Sequence, residues 1–341
     1  MSDTYGPFTR AIHAGEGRDP ATGAHATPIY QTAAFAFDSA EDKAATMDAA
    51  LAWQGGFFYS RTGNPTTAAL ERKLAALEGA EDAVVGASGM ASVSAALFIS
   101  LQAGDHLIVS DDLFIISKVL VHEDLPRRGI EVTAVDTTDL GAVRAAIRPT
   151  TKVLFTETVS NPNMLVADVP ALVDVCRASG IRLIVDNTFL GPSLLRPLAQ
   201  GADLVLHSAT KYLAGHGDTI AGVLAGPKAT IDRARYQHDA LGSCASPFNS
   251  WLVLRGVRTL PLRIQAHCRN AAALAEMLEA HPAVAGVAYP GLERHPQHAA
   301  ARRQLGDRFG GMLSFRVKGD RDAMNMIVHG RTWAGSECFA A

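Results

Sequence analysis

Charge is scarce in this chain, and cysteine scarcer. Of 341 residues only 19% are charged, and 31 basic against 34 acidic side chains leave a formal net charge of -3. There is no basic excess to meet a nucleic acid or an anionic membrane, so a small-molecule partner is the expectation. The four cysteines, Cys176, Cys244, Cys268 and Cys338, form no Cys-x-x-Cys pair and have no histidine at a zinc-ligand spacing. Scattered thiols of this kind suit a reducing cytosol, where they behave as small buried apolar groups. No apolar run is long enough to span a bilayer, and Met1 to Arg10 lacks the basic-then-apolar order of a signal peptide, so a soluble, cytoplasmic protein is expected. A Gly-x-Gly-x-x-Gly turn after a strand and a Walker-type phosphate loop are both missing, which argues against a dinucleotide or P-loop site.

What is present is core. With 48% hydrophobic residues the chain can bury enough apolar surface for one large domain or two. Between Gly79 and Gly226, short β-branched runs alternate with helix-period stretches. The runs are 83–85, 106–109, 132–135, 152–155, 182–185, 204–206 and 222–224; the stretches include 91–101, 140–147 and 169–178. Strands apolar on both faces and separated by helices indicate an α/β fold with a mostly parallel sheet covered by helices. Residues 1–56, interrupted by Gly, Pro and Thr, read as an extended arm, and 57–245 as the large α/β domain. Residues 246–341 read as a smaller C-terminal unit, strongly helical over 247–278 with a strand near 311–317.

Open α/β sheets bind ligands at the carboxyl ends of their strands, so polar residues directly after apolar runs come first. After Val84-Val85 stands Gly86-Ala87-Ser88-Gly89-Met90, opening a helix. Small residues there let backbone N–H groups approach a phosphate, although an ordinary tight turn has the same composition. After Leu183-Ile184-Val185 stands Asp186, a carboxylate that needs a cationic partner or hydrogen bonds when buried, or else is a turn or cap residue. After Leu204-Val205-Leu206 stands His207-Ser208-Ala209-Thr210-Lys211. If that segment stays extended, Ser208 and Thr210 share one face and Lys211 the other. Hydroxyls would then hold a phosphate while a desolvated amine condenses with a carbonyl. A phosphate cradle, a partner for a protonated ring nitrogen and an amine on one sheet edge together describe a site for pyridoxal 5′-phosphate (PLP).

The same residues resemble the Cys/Met-metabolism (trans-sulfuration) family of PLP-dependent enzymes over nearly the whole chain. The matching motifs are Tyr59-Ser60-Arg61-Thr62-Gly63-Asn64-Pro65-Thr66, Ala87-Ser88-Gly89-Met90-Ala91, Glu157-Thr158-Val159-Ser160-Asn161-Pro162, Val185-Asp186-Asn187-Thr188, Ser208-Ala209-Thr210-Lys211-Tyr212 and Gly215-His216-Gly217-Asp218. The resemblance implies the aspartate-aminotransferase fold (fold type I) and the cofactor PLP. It makes Lys211 the Schiff-base and proton-shuttling residue and sets Asp186 against the pyridine nitrogen. Ser88, Gly89, Met90, Ser208 and Thr210 match the phosphate cradle, and Phe114 lies over the ring. Asn161 matches a position near the ring hydroxyl or substrate carboxylate, and Tyr59 and Arg61 reach the phosphate of a neighbouring subunit. A homodimer or homotetramer with shared active sites follows. The implied activity is that of a carbon–sulfur lyase or γ-replacement enzyme acting on a sulfur amino acid or an activated homoserine, similar to methionine γ-lyase. Cystathionine γ-synthase and O-acyl-homoserine sulfhydrylase are the alternative, and a PLP-binding but catalytically weak assembly partner is another.

Two departures from the family pattern bear on chemistry. Phe114-Ile115 stands where the family has Tyr followed by Gly; Phe114 can stack on a ring but cannot move a proton. The family also continues past Ala341 and carries there an arginine that clamps the substrate carboxylate, while Arg331 to Glu337 only faintly resembles the family's Ser-Leu-Gly-Gly segment. The expectation is therefore a small domain that is incomplete relative to the family, with weakened substrate anchoring and PLP binding retained. The resemblance places His295-Pro296-Gln297-His298 on an ordinary surface stretch, and no metal is expected.

Overall fold

The computed structural model describes residues 5–319. Each apolar run becomes a strand: β1 (Asp82–Gly86), β2 (His106–Ser110), β3 (Glu131–Val135), β4 (Thr151–Glu157), β5 (Arg182–Asp186), β6 (Leu204–Ser208) and β7 (Gly222–Gly226). They form one sheet in the order β1-β7-β6-β5-β4-β2-β3. Only β7 runs antiparallel to its neighbours. Because of that reversal, the start of β7 lies between the ends of β1 and β6, with Gly222 in register with both Gly86 and Ser208.

Helices cover both faces. Valines 85, 205 and 223 pack on α3 (Pro65–Glu78), α10 (Pro247–Val257) and the start of α11 (Leu260–Ala280). Further along the same face, Leu154, Leu183 and Val185 meet α7 (Leu140–Ala146) and α8 (Val169–Ser179). The opposite face, including Val84, Leu107, Leu204, Leu206 and Leu224, is covered by α4 (Gly89–Ser100) and α9 (Lys228–Leu241). It is also covered by a continuous helical stretch made of α5 (Ile115–Val119), one π turn (Leu120–Asp124) and α6 (Leu125–Arg127). Each fully buried Leu or Val contributes roughly 1.5–3 kcal/mol on transfer from water, and so many on both faces explain why the runs show no alternation. A separate antiparallel pair, β8 (Val284–Ala288) with β9 (Ser314–Val317), packs on α11, and α12 (His298–Leu305) lies between them in sequence.

Residues 14–39 carry no helix or strand beyond an isolated bridge at Ala34, but α1 (Pro7–His13) and α2 (Ala40–Leu51) interrupt the arm expected over 1–56. α2 is started by Ser39, whose side chain accepts from the Asp42 amide. The last turn of α1 is held by Lys73, whose buried ammonium donates to the carbonyls of Ala11 and Ile12 at 2.8 and 2.9 Å. The same ammonium pairs with Glu16 at 2.6 Å, and Arg258 also pairs with Glu16. Arg331 to Glu337, on which the expectation about the chain's end rests, and Cys338 lie outside the described residues.

Candidate active site

The carboxyl ends of β1, β4, β5 and β6 open into one cavity of about 440 Å³. It is lined by nine of the residues expected from sequence: Ser88, Gly89, Met90, Phe114, Asn161, Asp186, Ser208, Thr210 and Lys211. Tyr59 and Arg61 are elsewhere. Arg61 pairs with Asp239, donates to the Asp239 carbonyl at 3.0 Å and stacks over the Tyr59 ring.

The turn from β1 into α4 is built for close backbone approach. Ser88 caps α4, its hydroxyl accepting from the Ala91 amide at 3.1 Å. A Cβ on Gly89 would sit 2.8 Å from the Ser208 Cβ, and one on Gly222 would sit 2.0 Å from the Ser88 carbonyl. Glycine at both positions brings the helix N-terminus against the end of β6, and the amides and dipole there favour an anion.

The expected alternation beyond β6 does not occur. The strand ends at Ser208, and the chain enters turns marked by Lys211 N–H to Ser208 carbonyl at 3.2 Å and Gly215 N–H to Lys211 carbonyl at 2.8 Å. Residues three apart in a turn face the same way, so Ser208 and Lys211 share the cavity instead of opposite faces. Thr210 is pinned to the entry of β7: its hydroxyl donates to the Ala221 carbonyl and accepts from the Ala221 amide.

Asp186 lies in the cavity floor. Burial raises its carboxyl above the usual range, while the hydroxyl and amide of Thr188, at 2.5 and 2.9 Å, favour the ionised form. Thr188 also accepts from the Ser208 amide at 2.8 Å, tying the exit of β5 to that of β6. A half-buried carboxylate lining an open cavity fits a protonated ring nitrogen. With the anion cradle at α4 and the amine of Lys211 in the same cavity, the residues present fit PLP.

Three further features were not anticipated. Glu157 lines the cavity in direct register with Asp186 on the adjacent strand and accepts from the Phe114 amide at 2.6 Å. The remaining wall is mostly apolar, with Val93, Val159, Phe189 and Ile220 beside Ser117. His295, expected on the surface, is buried, and its amide donates to the Leu292 carbonyl. The signal for Glu157 was available, since it stands two residues after the apolar run ending at Phe155, at a strand end like Asp186.

The family model for "Cys/Met metabolism PLP-dependent enzyme" matches residues 8–339. An L-methionine gamma-lyase from Porphyromonas gingivalis is 44% identical over 94% of this chain and 80% of its own length. A probable cystathionine gamma-synthase from Herpetosiphon aurantiacus is 43% identical over 95% of this chain and 98% of its own. Among solved structures, metB from Corynebacterium glutamicum superposes with a TM-score of 0.88 at 37% identity, covering 94% of this chain and 81% of that one. Cystathionine gamma-lyase from Lactobacillus plantarum, complexed with L-serine, gives 0.85 at 39%, covering 92% and 79%. The fold agrees with these likenesses, and the chain belongs to the Cys/Met-metabolism family of PLP-dependent enzymes.

Proposed function

We propose that this protein is a carbon–sulfur lyase or γ-replacement enzyme of sulfur amino-acid metabolism, of the methionine γ-lyase kind. The observation that carries the reading is the convergence of Lys211, Asp186 and the Ser88–Met90 turn on one cavity. Bound there, PLP supplies an electron sink for bond cleavage at the substrate α-carbon. Lys211 holds the cofactor and then moves a proton between substrate carbons. Asp186 keeps a proton on the ring nitrogen, and Thr188 keeps Asp186 ionised and in place. Ser88, Gly89, Met90, Ser208 and Thr210 hold the phosphate, Asn161 orients the ring hydroxyl or the substrate carboxylate, and the Phe114 ring stacks without proton transfer.

Among the described residues lining the cavity, Lys211 is the only basic side chain. An apolar lining of Val93, Val159, Phe189 and Ile220 favours a short uncharged thioether or thiol substituent. A panel of L-methionine, L-cystathionine and acylated homoserines, with and without sulfide, tests the choice. Oxo-acid release from methionine without added thiol supports the lyase. Thioether or thiol formation from the acylated homoserine supports a synthase or sulfhydrylase instead.

Tyr59 and Arg61, which line no part of their own chain's cavity, serve the phosphate of a neighbouring copy, so the working form is a homodimer or homotetramer. Residues 1–56, 57–245 and 246–341 act as arm, cofactor domain and small domain. Cys176, Cys244 and Cys268 are unpaired, and no helix among the described residues is long and apolar enough to cross a membrane. Unpaired thiols support a cytoplasmic setting.

A further inference from the structure

Glu157 and Asp186 stand directly opposite each other on adjacent parallel strands, and both line the cavity. Paired residues of neighbouring strands project to the same face, so the two half-buried carboxyl groups leave the sheet side by side from backbones roughly 5 Å apart. Two like charges set side by side in a cavity wall disfavour each other, and the proton goes to the group with fewer donors. Asp186 accepts two hydrogen bonds from Thr188, whereas Glu157 accepts one, from the Phe114 amide to Oε1. Asp112, the third carboxylate nearby, is satisfied by Ser160 at 2.5 Å and Asn163 at 3.0 Å.

Resting on the PLP reading above, we propose that Glu157 is a positioning residue that works as a neutral acid. Through Oε1 it fixes Phe114 at the start of α5, which has no side-chain cap. Through Oε2 it presents an O–H beside Asp186, leaving Asp186 as the only negative charge under the cofactor ring. The direction of titration agrees: burial, then the charge of Asp186, hold the Glu157 carboxyl well above the usual carboxylate range, with Asp112 adding to this and Lys118 on α5 and the Phe114 amide opposing it. A neutral acid at this position keeps the floor at one charge, matched to one ring proton, where two would over-bind the protonated ring.

The test is an infrared difference spectrum at neutral pH between the unaltered protein and Glu157→Gln, which keeps the oxygen that accepts from Phe114. The expected result is loss of the C=O stretch of a protonated carboxylic acid. In the same pair reconstituted with PLP, the pH midpoint of the visible cofactor band stays unchanged, because no charge has been removed. Loss of carboxylate bands in place of the acid band, or a midpoint shifted to lower pH as follows removal of a negative charge, overturns the proposal. Glu157→Met, close in volume, gives the same infrared reading where Gln disturbs folding. Should the unaltered protein take up no PLP, the cofactor reading fails, while the infrared pair still decides the state of Glu157 without cofactor.

Discussion

The backbone amide of Ser208 donates to the hydroxyl of Thr188 at 2.8 Å, and that hydroxyl in turn donates to Asp186. One side chain therefore sets the spacing between the floor carboxylate and the strand end that leads into Lys211. A hydrogen bond to a charged group contributes about 1.5–3 kcal/mol. Thr188→Val should accordingly weaken PLP binding about tenfold or more, measured by absorbance titration of cofactor-free protein. The Asp186 carboxyl, stripped of one donor, should take up its proton at higher pH, so cofactor retention should fail at higher pH on the acid side. Unchanged affinity would show that Thr188 is incidental.

Gly222 is required by space, since its φ is not among the positive values of this chain. An added Cβ meets the Ser88 carbonyl at 2.0 Å and the Ser92 hydroxyl at 2.6 Å. Gly222→Ala should cost about 1–3 kcal/mol through forced displacement of the α4 start, read as a lower Tm, together with weaker binding of inorganic phosphate and PLP. A variant with unaltered Tm and phosphate affinity would mean that the turn yields freely.

His238 on α9 is buried, bonds Ser243 through Nδ1 and has no partner for Nε2. Burial, then the charge of Arg235, push its pKa down to about 4, against about 6.5 in an unfolded chain. Above the unfolded value both states are neutral and stability is full. As pH falls from about 6.5 towards 4 the unfolded chain takes the proton first, so stability is lost on the acid side, by up to about 3 kcal/mol. His238→Gln should flatten that part of the curve in urea unfolding across this pH range. A slope equal to the parent's assigns the acid sensitivity to other groups.

The readable parts of this molecule are those where local composition and tertiary role coincide. The strands were legible because burial on both faces demands continuous apolar runs such as His106 to Val109 and Arg182 to Val185. The reversed direction of β7 was not, because Gly222 to Leu224 reads the same either way. α2 was hidden by the surrounding Gly, Pro and Thr, although Ser39 followed by Glu41 and Asp42 is a helix-start signal. In the site, Ser88, Asp186 and Lys211 follow strand ends and were visible. Phe189 and Ile220 join the cavity only through the turns after β5 and before β7. The pairing of Arg61 with Asp239 spans 178 positions, and no local pattern reports it.

The proposal that subunits share active sites is testable by mixing. On the proposed sharing of sites between subunits, Arg61→Ala disables a site in a neighbour and Lys211→Ala one in its own chain. Unfolded together and refolded as dimers, half of the molecules carry one of each chain, and one of their two sites holds both intact residues, so about a quarter of the parent activity should return. Recovery of none, under conditions where each variant refolds and assembles, would place Arg61 in its own chain's chemistry.

The central claim is that the amine of Lys211 carries the cofactor. Borohydride reduction of the PLP-loaded protein followed by peptide mapping tests it most directly. The pyridoxyl group should be found on the peptide containing Lys211, and Lys211→Ala should take up no reducible label and lose the visible band. A label on another lysine, or a protein that stays colourless and unlabelled, would contradict the account.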